Sequence, residues 1–90
     1  MANLTRHHFG WVGHDFHPGV EHGWWFGPIS FGEVVYVTAH PVRLVSREAM
    51  VKDIRVHVDG AGNRTLLFTV RNTGVNTISG YGLDFSVVSN

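Results

Sequence analysis

The sequence predicts an all-β fold, an antiparallel β-sandwich of six to eight strands forming one domain over residues 1–90. Three observations predict it. Short stretches alternate apolar and polar residues with period two, the signature of half-buried strands. Turn-forming residues separate these stretches at intervals of roughly ten residues. No stretch carries a convincing helical period. The composition agrees: 43% hydrophobic and 16% charged residues suit a packed domain rather than a disordered chain.

The first forty residues carry the most unusual composition. "HHFGWVGHDFHPGVEHGWWFGP", residues 7–28, holds five of the seven histidines and all three tryptophans. In an alternating strand Trp24 and Phe26 share one face and Trp25 takes the other. Pro18-Gly19 offers a bend. "SFGEVVYVTAH", residues 30–40, is rich in valine and aromatics. Its unbroken apolar run at 34–37 predicts a central strand covered on both sides, ended by Pro41. "VRLVS", residues 42–46, forms a short strand. "SREAM", residues 46–50, holds at most one helical turn, because Ser46 lacks an acid three residues on.

The second half is regular. Ile54, Val56 and Val58 alternate with polar residues. "DGAGN" is turn chemistry, and Leu66, Phe68 and Val70 then alternate again. The two stretches form a hairpin. Its expected register sets Val58 opposite Leu66, Val56 opposite Phe68 and Ile54 opposite Val70. The loop is then the three residues 61–63, or five if the ends open. Asp53 falls opposite Arg71, as an ion pair across the strands. After the turn "RNTGVNT", the stretch "ISGYGLDFSVVS" puts Tyr81, Leu83, Phe85 and Val87 on one face. Gly80 and Gly82 flanking Tyr81 suggest a bulge or a close backbone contact.

"LLFTVRNTG", residues 66–74, resembles a phrase of bacterial immunoglobulin-like β-sandwiches of the CARDB and fibronectin III-like kind. There, alternating apolar residues and threonines run into a V-x-N-x-G turn. The likeness extends loosely over residues 51–89. It implies an immunoglobulin-like sandwich with a non-catalytic adhesion or accessory role, and it assigns no functional residue.

Acidic and basic residues balance at seven each, and Lys52 is the single lysine. No basic stripe exists, which argues against nucleic acid as a partner. There are no cysteines, so disulfides, thiolate zinc sites and cysteine nucleophiles are excluded. No apolar run reaches the ~18 residues of a membrane span, and "MANLTRHHFG" has no signal-peptide character. The chain is expected to be soluble, leaving the cell without such a signal or as a piece of a longer protein if it works outside. "NLT" and "NRT", at Asn3 and Asn63, match the glycosylation sequon.

Three functional readings compete for the histidine- and tryptophan-rich segment. In the leading one, residues 9–26 present an aromatic surface to a partner chain or a glycan. Trp11, Trp24, Trp25, Phe26 and His22 are its contact residues. Trp11 lies between two glycines that leave its face open, and Trp25 lies on the face the core does not claim. In the second, His14, His17 and His22 hold zinc, nickel or copper, imidazole being a common donor to each. His14 and His17 converge only if the chain bends, since their odd offset puts them on opposite faces of a strand. A hairpin tip at Pro18-Gly19 would also bring His22 near Asp15 as a supporting carboxylate. In the third, the chain is a purely structural, self-assembling subunit whose tryptophans are all interface. Independently of these readings, the low charge leaves much of the surface neutral or aromatic, so a homo-oligomer is expected. No nucleophile elbow or paired-carboxylate motif frames the serines, histidines and acids, so catalysis is not expected.

Overall fold

The fold comes from a computed structural model that describes residues 3–42 and 46–89. Among these residues there are six strands and no helix: β1 Asn3–Phe16, β2 Glu21–Ile29, β3 Val34–Pro41, β4 Ala49–Val58, β5 Arg64–Asn72 and β6 Ile78–Ser89. They pair antiparallel into two three-stranded sheets, ordered β1-β6-β3 and β2-β5-β4. The β-sandwich expected from the alternation is therefore present, with six strands. Among the described residues no helix is long and apolar enough to cross a membrane.

The central strands, β6 and β5, supply most of the core. Tyr81, Leu83, Phe85 and Val87 of β6 face Leu66, Phe68 and Val70 of β5, with Phe16 and Ile78 closing one end. Each such apolar side chain contributes about 1.5–3 kcal/mol by leaving water. Both alternating stretches thus bury the face that period two assigned to them. Phe85 is the hub. It stacks on Phe26 of the opposite sheet at 4.3 Å between centroids and meets Phe9 and Phe68 edge-on at 5.8 and 5.7 Å.

Several expectations are corrected. β3 is an edge strand, not a central one. Its paired edge meets β6, and Val34 and Tyr36 point away from the core into solvent. The valine run satisfies one buried face, through Val35 and Val37, and leaves the other exposed. The hairpin register is displaced by two residues: Val56 lies opposite Leu66, and Val58 lies opposite Arg64. A two-residue displacement keeps every side chain on its face, so the alternation could not distinguish the two registers. The turn chemistry decides between them. Asp59 Oδ1 accepts hydrogen bonds from the backbone N–H groups of Ala61 (2.8 Å) and Asn63 (3.0 Å), and the Asp59 N–H donates to the Asn63 carbonyl. The loop is therefore closed at five residues. These bonds hold the Asp59 carboxyl below its ordinary range, with Asn63 the main cause.

Asp53 does not face Arg71. It occupies a β-bulge with φ 55°, where three steps of β4 (Lys52 to Arg55) span two of β5 (Thr69 to Leu67). The bulge changes which parity faces inward, from Ala49 and Val51 before it to Ile54, Val56 and Val58 after it. Arg71 lies opposite Met50 and donates to Glu21 instead, at 2.8 Å. The bulge or close contact expected around Gly80 and Gly82 is present. Those glycines allow close approach: a Cβ on Gly80 would lie 3.2 Å from the Trp11 carbonyl, and one on Gly82 would strike the His8 ring at 2.6 Å. The irregularity begins opposite Gly80, where Val12 to Phe16 of β1 spans only Gly80 to Ile78, while Gly82 stays in regular register with Gly10. The helical turn at 46–50 is absent, because Ala49 and Met50 already belong to β4. The short strand expected at 42–46 falls largely on residues 43–45, outside the described residues.

Candidate functional site

The segment from residue 9 to 26 does not form a hairpin. It crosses from one sheet to the other. Pro18 and Gly19 occupy a tight turn closed by the Val20 N–H on the His17 carbonyl at 3.0 Å, with Gly19 at φ 85°. The turn is tied to β5, where the Gly19 N–H donates to the Asn72 carbonyl and the Asn72 N–H to that of Val20. β1 and β2 consequently run along the same side of the sandwich as the edge strands of different sheets.

This crossing sorts the aromatics. Trp11, His22 and Trp24 turn inward around Tyr81. Trp11 stacks on Tyr81 at 5.2 Å, and the His22 ring stacks on Phe16 at 4.1 Å and lies 4.7 Å from Trp11. The openness expected for Trp11 between its glycines is not found; Trp11 is half-buried against the core. The Tyr81 hydroxyl sits 2.7 Å from Trp24 Nε1 and 2.8 Å from His22 Nδ1. An indole N–H can only donate, so the tyrosine oxygen accepts it and has its own proton to give to His22 Nδ1. That arrangement requires a neutral imidazole protonated at Nε2. Burial pushes the Tyr81 hydroxyl up to about 12, against the smaller opposing effect of the Trp24 hydrogen bond. It pushes His22 below its ordinary value, against the pull of the Asp15 carboxylate.

Two predictions follow from the cluster. Tyr81→Phe leaves a partly buried indole N–H without its acceptor, and should cost about 1–3 kcal/mol in the denaturant midpoint. The second concerns pH. With the folded-state value of His22 depressed, the unfolded chain binds the extra proton first. Stability is therefore full above about pH 6.5, the unfolded histidine value, and declines as pH falls below it. Glu21, Asp59 and Asp84 are also depressed, but carboxylates lose their contribution only below about pH 4. Unfolding titrations between pH 7.5 and 5 should show this decline, and His22→Gln should flatten it.

Trp25 lies on the other face, as its place in the alternation requires. It is 67% exposed on the outside of the β2-β5-β4 sheet, in a row with Leu67 and Arg55. Nothing lies within 4 Å of the Cβ position of Gly23, which leaves that flank of the indole uncovered. The same face ends in charge: Glu21 Oε2 accepts from both Lys52 Nζ and Arg71 Nη1 at 2.8 Å. The Lys52 bond, and then the Arg71 bond, hold the Glu21 carboxyl below its ordinary range. Around the edge, Phe9, Trp24, Trp25, Phe26, Gly27 and Phe85 line an apolar slot of about 300 Å³ that opens between the two sheets.

The histidines proposed as metal ligands are not gathered. His14 lies exposed in the irregular stretch of β1, His17 hydrogen-bonds Thr77 Oγ1 at 3.0 Å, and His22 turns inward to Tyr81. Among the described residues, no group of three or more histidines and acids is placed to hold a metal ion. The physical reason is the crossing at Pro18-Gly19, which sends His22 into the other sheet rather than back along β1. His22 does come close enough to Asp15 to feel its charge. Period two gave no hint of the pairs on the outer face of β6, where Asp84 takes His8 Nδ1 at 2.8 Å and His40 Nε2 at 3.3 Å. Nor did it identify Tyr81 as the polar centre of the aromatic cluster. The signal for Tyr81 was a hydroxyl on a face otherwise wholly apolar, which needs a partner once buried. Comparisons with protein families, with curated proteins and with solved structures find no match.

Proposed function

We propose that this chain is a non-catalytic recognition or assembly module that grips a partner protein along the aromatic edge formed by β1 and β2. The observation that carries the reading is Trp25, two-thirds exposed and standing over the mouth of the slot lined by Phe9, Trp24, Phe26 and Phe85. An indole left in water beside an apolar recess has the character of an interface anchor. Its surroundings favour protein over glycan. The row continues through Leu67, and the charged Glu21, Lys52 and Arg71 lie toward one end, an apolar centre with polar groups at its margin. The resemblance of residues 66–74 to adhesion and accessory sandwiches points the same way.

Selection from a random-peptide display library tests the reading. Peptides enriched on the unmodified chain should lose at least about 30-fold in affinity for Trp25→Ala, the effect of a hot-spot residue contributing about 2 kcal/mol. Peptides that bind both chains equally would defeat it. A glycan-array signal that disappears with Trp25→Ala, in place of any peptide, would move the ligand class to carbohydrate.

A further inference from the structure

We infer that a second copy of this chain pairs with the free edge of β4, joining the two β2-β5-β4 sheets into one continuous six-stranded sheet. The inference rests on a surface separate from Trp25. β4 bonds to β5 on one side only, and among the described residues no strand takes its other edge. After the Asp53 bulge, Ile54, Val56 and Val58 share the side of Leu66, which is buried. Yet they are 54%, 52% and 49% exposed and lie outside the core cluster. Three aliphatic side chains thus face the inter-sheet side about half exposed, on a strand whose second edge no described strand takes.

The segment is bounded on both sides. Lys52 and Asp53 at the bulge end the regular pairing upstream, and the rigid Asp59-centred turn ends it downstream. Between them, residues 54–58 contain neither proline nor lysine, the residues that usually block edge pairing. The stretch is also self-complementary. A two-fold axis at Val56 sets Val56 against its own copy and Ile54 against the copy's Val58, the register that matches all three apolar positions. Arg55 then lies beside the copy's His57 on the outer face.

The surface area supports a second copy. The chain exposes 5944 Å², about 700 Å² more than the ~5,200 Å² of a compact chain of 10.0 kDa. A standard interface covers ~800 Å² on each partner. The Cα radius of gyration is 14.5 Å, against ~12 Å for a compact chain of this length. A formal charge of zero places no net repulsion between copies.

Sedimentation at neutral pH tests the pairing. The unmodified chain should run at twice its 10.0 kDa mass, and Val56→Lys should run at the single-chain mass with an unchanged β-type circular-dichroism spectrum. Because the chain has no cysteine, Val56→Cys should yield a disulfide-linked dimer on mild oxidation. Met50→Cys, which this register places far from its copy, should not. The cross-link decides the matter even if Val56→Lys fails to fold. A monomeric unmodified chain, or Val56→Cys that cross-links no better than Met50→Cys, overturns the inference. So does a dimer abolished by Trp25→Ala but kept by Val56→Lys, which would place the contact on the outer face of the β2-β5-β4 sheet.

Discussion

Phe85→Ala should unfold this protein more readily than any other single truncation described here. The ring is 2% exposed. It stacks on Phe26 and meets Phe9 and Phe68 edge-on, and so joins β1, β2 and β5 to β6. Removing it takes away its transfer free energy and opens a cavity that four strands cannot close together. Such truncations cost about 3–5 kcal/mol, while a chain of this length has a total stability of about 5–13 kcal/mol. At ~4–8 °C per kcal/mol the melting temperature should fall by at least about 12 °C. Phe85→Leu leaves a smaller cavity and should lose less. A drop below about 4 °C for the alanine variant would mean that the aromatic rings do not form one shared core.

Asn72→Ala should be nearly as damaging for a different reason. Asn72 is 1% exposed, the one buried polar side chain among the described residues. Its Nδ2 donates to the carbonyls of Phe16 and Asn76, both at 2.9 Å, and its Oδ1 accepts the Gly74 N–H at 3.0 Å. One amide therefore ties the end of β1 to the turn between β5 and β6. Truncation strands these backbone groups at about 1–3 kcal/mol for each that water does not reach. A total of about 2–5 kcal/mol is expected in the denaturant midpoint. Asn72→Leu keeps the volume and should cost almost as much, which isolates the polar contribution from the packing one. Asn72→Asp keeps the acceptor but loses both donors and buries a charge, and should be no better than alanine at pH 7. A loss under about 1 kcal/mol for the leucine variant would show that the turn satisfies its backbone in another way.

Asn72 also marks the boundary of what the sequence reveals. Residues 66, 68 and 70 announce an inward face by alternation, and position 72 continues that parity into the core. Its residue type read as the start of a turn, and it serves both ends: backbone in β5, side chain in the turn. The same limit appears in β4. Ile54, Val56 and Val58 share a face as their spacing demands, and Ala49 and Val51 share another parity. Only the left-handed residue at Asp53 reconciles the two, and Asp, unlike glycine, gave little warning that it would adopt φ 55°. The hairpin register escaped prediction because a shift by two leaves every face unchanged.

The aromatic segment divides in the same way. That Trp24 and Phe26 would turn together and Trp25 apart was legible from the chain, because strand geometry permits nothing else. That Trp11 packs inward, that His14, His17 and His22 part company, and that Phe9 joins Phe26 and Phe85 around a slot was not. Those outcomes depend on β1 and β2 lying in different sheets.

The sequence alone determined the class of fold and the inward side of the alternating stretches at 66–70 and 81–87, since period-two burial is a local property of the backbone. The tertiary structure decided which strands stand at the edges, which histidines meet, and which apolar side chains are left uncovered. Those depend on how the chain crosses between layers at Pro18-Gly19 and on where a single extra residue enters β4. Neither event changes the alternation on either side of it.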